Sequence, residues 1–257
     1  MNVGQRLRSA TLQDRVAAMD ELAAGGDADA QTLDALVECL GDERKQIQRR
    51  AAEVLTALSA RGVAVRAVLL GSLQSSVPIQ RWGAAYALSL LGTPPPQSQA
   101  ALLECLGVDD GDVRWAAAAI LLRMDDQPGM IAALQGLLRG GDAAQRKMAA
   151  YCLRDLGARL PTVEQVLLDA TNDQQPGVRM AAMSGLTRLG TDRAVVSQRL
   201  TVMLQDHDAG VRRAAAAALG TLGDRSDAVL AALRVAFDSP DASLKRAAAR
   251  SLRLLET

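Results

Sequence analysis

The chain has 257 residues, enough for one large domain or for an elongated array of repeats. Hydrophobic residues make up 49% of it but only 2% are aromatic, so the core must be built mainly from Ala, Leu, Val and Met. The 29 basic and 29 acidic side chains cancel, which argues against a protein that coats nucleic acid or membranes through bulk charge.

The sequence predicts a cytoplasmic protein without a membrane span. No stretch reaches the roughly 18 apolar residues that cross a bilayer, and the first residues lack the apolar core of a signal peptide. The chain has three cysteines, Cys39, Cys105 and Cys152, and they lack the short spacing of a zinc site. Because an odd number cannot all pair in disulfides, the cysteine content favours a reducing compartment. We expect all three to be buried packing residues.

One short phrase recurs along the chain. It reads "GVRRAAAAALGTLGD" from Gly210, and related phrases begin at Gly177 and Asp112. The aligned anchor positions are Gln48, Arg81, Arg114, Arg146, Arg179, Arg212 and Lys245. They lie 33, 33, 32, 33, 33 and 33 residues apart, and we place a degenerate first copy near Leu12. A leucine stands seven residues after each of the seven anchors, so the register of the repeat is fixed.

Each period predicts two amphipathic helices, because apolar residues recur at steps of three and four in both of its halves. The helix breakers agree, with proline in the first turn of second helices and glycine just past their ends. These breakers are Pro78, Pro176, Pro240, Gly92, Gly157, Gly190 and Gly223. Strand-like alternation is not found. The sequence therefore predicts an all-α chain, a single domain over residues 1–257 with eight two-helix repeats. Their approximate bounds are 1–25, 28–60, 62–92, 96–125, 127–157, 161–190, 192–223 and 226–257.

The phrase D-x-x-V-R-x-A-A-x-x-L-x-x-L-G resembles the HEAT-repeat family, in particular its short prokaryotic branch with phycobilisome-lyase-type repeats. The resemblance covers essentially the whole chain, and the first repeat is its weakest part. It implies a bacterial α-solenoid with a right-handed superhelix, in which the second helices line a concave surface. Because this scaffold carries many activities, the resemblance implies the fold more strongly than the function.

The anchor arginines are predicted to be structural. At about 100° per residue they lie on the flank of the second helix, facing the next repeat. HEAT-type arrays commonly have an Asp/Arg ladder that ties successive turns together. The candidate acids four residues before the anchors are Asp110, Asp142, Asp208 and Asp241. We therefore leave the anchor arginines out of the candidate site, and the alternative interpretation is a track of arginines that binds phosphates.

A second stripe of the same helices carries the candidate site. Positions one, five and eight after each anchor are expected to project away from the core, and both tryptophans and both tyrosines occupy such positions. Exposed aromatic rings usually bind something, although packing on neighbouring helix ends is the alternative. Toward the C-terminus the stripe turns basic. The predicted partner-binding residues are Trp82, Tyr86, Trp115, Lys147, Tyr151, Arg154, Met180, Arg213, Arg246 and Arg250.

These residues favour a non-enzymatic scaffold or adaptor that binds a peptide or helix with acidic and hydrophobic anchors. We expect a monomer without a metal or cofactor. The single histidine, His207, is expected to be a solvated turn residue. It cannot supply the His-Glu pairs that HEAT-type deoxyhypusine hydroxylases use for di-iron. No serine near it has the context of a nucleophile, and no Gly-rich phosphate loop is found.

Three other functions are also compatible with the sequence. DNA glycosylases with HEAT-like repeats use a concave face with aromatic and basic residues, so nucleic-acid binding or repair is one alternative. The similarity to phycobilisome lyases implies a bilin lyase or isomerase role as another. The flank of the last repeat could also be a self-association surface.

Overall fold

The computed structural model describes residues 1–157, 160–190 and 192–256 of the chain. These residues form sixteen α-helices and no β-strand. They divide into two compact units, Met1–Asp126 and Gln127–Thr257. The division falls between the predicted fourth and fifth repeats, so each unit contains four of the predicted helix pairs. Thr257, the last residue of the predicted eighth repeat, lies outside the described residues.

The first unit contains eight α-helices and two short 3₁₀ turns. The helices are α1 (Val3–Leu7), α2 (Leu12–Ala23), α3 (Ala30–Glu38), α4 (Lys45–Ala60), α5 (Val65–Ser72), α6 (Pro78–Leu90), α7 (Gln99–Cys105) and α8 (Gly111–Leu121). The 3₁₀ turns are Cys39–Gly41 and Pro96–Ser98. The even-numbered helices are the predicted second helices of their repeats.

The second unit also contains eight α-helices. They are α9 (Gln127–Gly140), α10 (Ala143–Leu156), α11 (Pro161–Ala170), α12 (Pro176–Leu189), α13 (Arg193–Met203), α14 (Ala209–Leu222), α15 (Asp227–Phe237) and α16 (Ala242–Glu256). Every predicted repeat therefore holds two helices, and the prediction of an α-solenoid is confirmed. None of the described helices is long and apolar enough to cross a bilayer.

The helix ends follow from local sequence signals. Pro78 and Pro176 are the first residues of α6 and α12, where a missing backbone N–H leaves no hydrogen bond unmade. Pro240 instead lies just before α16, because the side chain of Asp241 accepts the first amides of that helix. After α10 and α14, Gly157 and Gly223 adopt φ values of +68° and +77°, which close each helix in a left-handed cap.

Leucines and alanines of the second helices form a large part of the core of each unit. Six of the seven leucines that follow an anchor by seven residues are at most 1% exposed, namely Leu55, Leu88, Leu121, Leu153, Leu186 and Leu219. Leu252, in the last helix, is half-buried. Burying each such leucine contributes about 2 kcal/mol relative to leaving it exposed.

Small residues form the contacts between successive second helices. Pairs of alanines three and four residues after the anchor are at most 4% exposed, namely Ala51 and Ala52, Ala84 and Ala85, Ala117 and Ala118, Ala149 and Ala150, and Ala215 and Ala216. A methyl side chain lets two helix axes approach to about 8 Å, the short end of the usual range. The alanines of the recurring phrase therefore serve to pack the helices against each other.

The anchor arginines form a ladder along the seam between repeats, as predicted. Each donates from Nη1 to a carbonyl five or six residues earlier and, in most repeats, also binds a carboxylate of the next repeat. The pairs are Arg81–Glu104 (2.6 Å), Arg146–Asp173 (2.6 Å), Arg179–Asp206 (2.6 Å) and Arg212–Asp241 (3.2 Å).

The acids of this ladder differ from those that the sequence suggested. Of the four aspartates that precede anchors by four residues, only Asp241 binds an anchor arginine. Asp110, Asp142 and Asp208 instead cap the N-termini of their own helices by accepting backbone amides. The position of the first repeat is also corrected. Arg15 pairs with Asp42 as the anchors do, and it lies 33 residues before Gln48, whereas the predicted anchor was near Leu12.

The most buried rung of the ladder is Arg179–Asp206, whose side chains are 4% and 10% exposed. Burial acts to raise the pKa of Asp206, but the hydrogen bonds from Arg179 and from the amide of Asp208 outweigh it and lower that pKa. Arg179 also donates to the carbonyls of Asp173 and Gln174, so its charge is held on several sides.

We predict that Asp206→Asn destabilises the second unit by about 3 kcal/mol, because it leaves the buried Arg179 guanidinium without its counter-ion. The control is Glu256→Gln, which breaks the exposed Arg234–Glu256 pair of the same unit and should change stability by less than about 1 kcal/mol. Urea denaturation followed by far-UV circular dichroism measures both. Equal losses in the two variants would contradict the assignment.

We also predict that acid destabilises the fold. The pKa values of Asp173, Asp206 and Asp241 are all lowered in the folded chain, that of Asp241 to about 2 through hydrogen bonds led by the Ser243 hydroxyl. Unfolded aspartates titrate near about 3.9, so the stabilisation is complete above about pH 5 and is lost as the pH falls below about 4. Melting temperatures between about pH 2 and 7 test this, and a constant melting temperature below about pH 4 would contradict it.

Candidate functional site

The predicted aromatic residues of the first unit differ in exposure. Trp115 on α8 is 51% exposed and Tyr86 on α6 is half-buried, as expected of residues that face away from the core. Trp82 on α6 is only 8% exposed, so the prediction that this ring faces solvent is wrong. Its ring lies 5.6 Å from that of Tyr86, at a tilt of 35°.

Next to Trp82, α6 lies close to the chain segment that contains Leu40. At Gly83, an added Cβ would stand 2.5 Å from the carbonyl oxygen of Leu40 and 2.6 Å from its Cβ. Only glycine permits this approach. Ser89, one of the outward positions of the repeat, is likewise only 3% exposed. The same outward positions on α4, Arg49 and Glu53, are exposed.

A lysine of α4 reaches past the buried Trp82 to α8. The Nζ atom of Lys45 lies 2.6 Å from Oδ2 of Asp110 and 3.2 Å from Oδ2 of Asp112. These hydrogen bonds raise the pKa of Lys45 and lower that of Asp110. The side chains of Lys45 and Asp112 are 45% and 79% exposed, so this bridge is accessible to water.

Two hollows flank this bridge, and Trp82 lines both. The smaller has a volume of about 190 Å³ and includes Arg49 and Tyr86 in its lining. The larger, about 270 Å³, has walls of Pro78, Ile79, Val108 and Val113 and carboxylates at its rim. Lys45, Gln48, Trp82 and Val113 are common to the two hollows.

The predicted site residues near α10 are engaged with each other. The guanidinium of Arg154 lies 4.9 Å from the ring centre of Tyr151 and donates to the carboxylate of Asp155 and the hydroxyl of Ser184. Its side chain is 23% exposed. Arg154 and Tyr151 are therefore more ordered and less available than the sequence suggests. Lys147 is exposed, and its stem lies beside Gly177.

The predicted basic residues of the last two repeats meet at one cleft. It has a volume of about 540 Å³, and Arg213 of α14 lines it together with Arg246 and Arg250 of α16. All three are exposed, and none has a hydrogen-bond or ion-pair partner within the described residues. A neighbouring cleft of about 590 Å³ lies between α12 and α14 and includes Met180, which is half-buried.

Small residues of α14 form the common floor of these two clefts. Ala214, Ala217 and Thr221 line both of them. Only Ala217 stands at an outward position of the repeat template, and the other two were missed because they carry neither charge nor ring. Their spacing of three and four residues places them in one row along the helix, and this spacing is the sequence signal that could have identified them.

The cysteines and the histidine lie in the environments that the sequence predicts. Burial raises the pKa of the thiols of Cys105 and Cys152 to about 12, and Cys39 is buried too, so the prediction of buried packing cysteines is confirmed. The side chain of His207 is 80% exposed in the turn before α14, as predicted. No group of three or more His, Cys, Asp or Glu side chains in the described ranges could hold a metal ion.

Comparisons with known proteins agree with the helix-pair architecture. A family model described as HEAT repeats matches residues 33–123 and 194–253, more than half of the chain. No curated protein matches the sequence.

Solved structures with the same architecture share little sequence. The Escherichia coli protein YibA is 18% identical over 98% of this chain and 93% of its own, with a TM-score of 0.55. Kap121p bound to Pho4p is 14% identical with a TM-score of 0.70, over 98% of this chain and 33% of Kap121p. An engineered protein is 20% identical with a TM-score of 0.50, over 99% of this chain and 78% of its own. At these identities the likeness shows the fold alone.

We predict that Gly83→Ala forces α6 away from Leu40, which costs about 1 to 3 kcal/mol and exposes Trp82. In a Trp115→Phe background, the remaining tryptophan emission should shift to longer wavelength. The control is Gly136→Ala in α9, where an added Cβ meets no atom within 4 Å and should stabilise the helix by up to about 1 kcal/mol. Unchanged emission and stability in the Gly83 variant would contradict the close approach of α6.

Proposed function

The chain belongs to the HEAT-repeat family, and we propose that it is a non-enzymatic scaffold that binds a segment of a partner protein on its second helices. The observation that carries the proposal is the cleft over α14 and α16, where three exposed arginines stand without partners around a floor of small side chains. The segment that fits it is a helix or extended peptide with carboxylates and small apolar side chains.

The charges of the cleft favour an acidic partner. Arg246 and Arg250 lie one turn apart on α16, an arrangement in which like charges weaken a helix by a few tenths of a kcal/mol. Arg213 adds a third charge from α14. A carboxylate that binds between them replaces repulsion with charge-assisted hydrogen bonds. Arginine is also among the residues that contribute most to binding at protein interfaces.

The floor of the cleft favours a closely packed segment. Ala214, Ala217 and Thr221 span eight residues of α14, seven steps or about 10 Å along the helix axis. Small side chains let a partner helix approach its backbone, as they do inside the fold. Met180, at the neighbouring cleft, offers a flexible apolar contact for a larger side chain of the partner.

The aromatic residues of the first unit support a further contact surface. Trp115 is 51% exposed, a large apolar area of the kind that partner proteins cover. Tyr86 is half-buried and is the outer member of the Trp82–Tyr86 pair. Trp82 itself supports Tyr86 from below, and Trp115 is therefore the better residue for testing this surface by substitution.

Two further features support a binding role without catalysis. The thiols of the chain are buried with raised pKa values, so they are poor nucleophiles. Among the structures with this fold, Kap121p is bound to another protein, Pho4p. That likeness concerns the architecture, and the residues of the α14–α16 cleft carry the argument for this chain.

We predict that Arg213→Glu, Arg246→Glu and Arg250→Glu together weaken binding of a Glu-rich, Ala-faced helical peptide of about 20 residues by at least about tenfold at about 0.15 M salt. The loss follows from replacing attraction to the carboxylates of the peptide with repulsion. Fluorescence anisotropy of the labelled peptide gives the affinity, and affinity purification from the native cell followed by mass spectrometry identifies natural partners.

The matched control changes Arg139, Arg193 and Arg225 to Glu, because these exposed arginines belong to the same unit but lie outside the cleft. It should retain peptide binding. Equal losses in both variants would mean a general charge effect and would contradict the proposal. Strongly salt-dependent binding of duplex DNA that the cleft variant loses, with no binding of the peptide, would favour nucleic-acid binding instead.

A further inference from the structure

A second candidate site lies in the first unit, where the Lys45 bridge divides the space beside Trp82. The two hollows of about 190 and 270 Å³ share Lys45, Gln48, Trp82 and Val113 in their linings. If the side chain of Lys45 swings toward solvent, they join into one groove beside the indole of Trp82. Its size suits one long side chain or a small molecule, not a helix.

The structure itself shows which charge this groove holds. The carboxylates of Asp110 and Asp112 bind an ammonium group, that of Lys45, at 2.6 and 3.2 Å. This ammonium comes from α4, at the far side of α6, and its side chain is 45% exposed. A bridge between exposed charges is screened by water and salt, so an incoming cation can compete with it.

The rest of the larger hollow fits the body of an organic cation. Pro78, Ile79 and Val108 offer apolar walls for an alkyl stem, and the indole of Trp82 attracts a cation through its ring. Glu43 is exposed at the rim and has no ion-pair partner within the described residues. Glu104 is neutralised by Arg81.

The smaller hollow is less favourable to the body of the ligand. The cationic Arg49 lines it beside Asp112, whereas the larger hollow has Asp110 and the apolar walls. The charged head of a ligand is thus directed to Asp110 and Asp112, with its stem toward Val108. This asymmetry gives the groove an orientation.

We propose that this groove binds an alkyl guanidinium or ammonium group, which takes the carboxylates of Asp110 and Asp112 from Lys45. Without a ligand, the ammonium group of Lys45 occupies these carboxylates and closes the groove. A cation that binds the carboxylates more tightly displaces it. A free small molecule and the side chain of an arginine or lysine in a partner peptide share this chemistry. The site is independent of the cleft over α14 and α16.

The experiment uses the full chain with Trp115→Phe, so that Trp82 is the only tryptophan that reports. The probes are agmatine, N-acetylarginine methylamide and a peptide of about ten residues with one central arginine, titrated at low salt while Trp82 emission is followed. Binding of the small probes alone points to a free ligand, and at least about tenfold tighter binding of the peptide points to a partner segment. Either result supports the site.

Two variants test which charged groups take part in binding. Lys45→Met keeps the stem but removes the competing ammonium, and should tighten binding about three- to tenfold. Asp110→Asn with Asp112→Asn should weaken it at least about tenfold, and the fold is kept because asparagine caps a helix as well as aspartate does.

The matched control is Lys245→Met, which removes an exposed lysine of the other unit and should leave binding unchanged. Absence of binding to both the parent chain and the Lys45 variant would overturn the proposal. Binding that persists in the Asp110 and Asp112 variant would overturn it too, as would preferential binding of the anionic probe N-acetylglutamate.

Discussion

Close approach of neighbouring helices at small side chains is the constraint on which the rest of this structure depends. Each repeat contributes only two short helices, which cannot bury an apolar face by themselves. Buried alanine pairs such as Ala149 and Ala150, or Ala215 and Ala216, let successive second helices contact along their length. Leucines one turn further on, such as Leu186 and Leu219, fill the space that remains. A larger side chain at an alanine position would separate the repeats and loosen these contacts.

The same seam decides which arginines are structural and which are available for binding. Arg212 and Arg213 are adjacent in sequence, yet about 100° apart around α14. Arg212 faces the next repeat, where it donates to Asp241, and it also donates to two backbone carbonyls of its own repeat. Arg213 faces the cleft and has no partner within the described residues. A ladder of paired arginines thus holds the array, while the neighbouring positions leave their side chains exposed.

One helix departs from the pattern, and the departure creates a site. At Gly83, α6 approaches Leu40 closely, and the neighbouring Trp82, at an outward position of the repeat, lies in the interior. Lys45 reaches from α4 to Asp110 and Asp112 at the start of α8 beside it. Trp82 thereby becomes part of the wall of a groove.

The sequence by itself determined the fold of this protein and the arginines of its seam. The 33-residue period, the paired helices and the buried leucines follow from hydrophobic spacing, which acts locally and repeats seven times. The first anchor, Arg15, could not be recognised from the sequence because the phrase around it has diverged. Its pairing with Asp42 identifies it.

The candidate site was determined only in part. An outward position predicts exposure where the helix sits at the regular distance, as it does for Trp115, Arg213 and Arg250. It fails for Trp82, whose surroundings include Lys45, Gln48 and Val113 of the neighbouring repeats, more than thirty positions away in the chain. The partners of Arg154 and of Lys45 were likewise decided by tertiary structure. Periodicity fixes the direction of a side chain from its own helix, whereas its burial and its partners depend on how far the neighbouring helices stand from it.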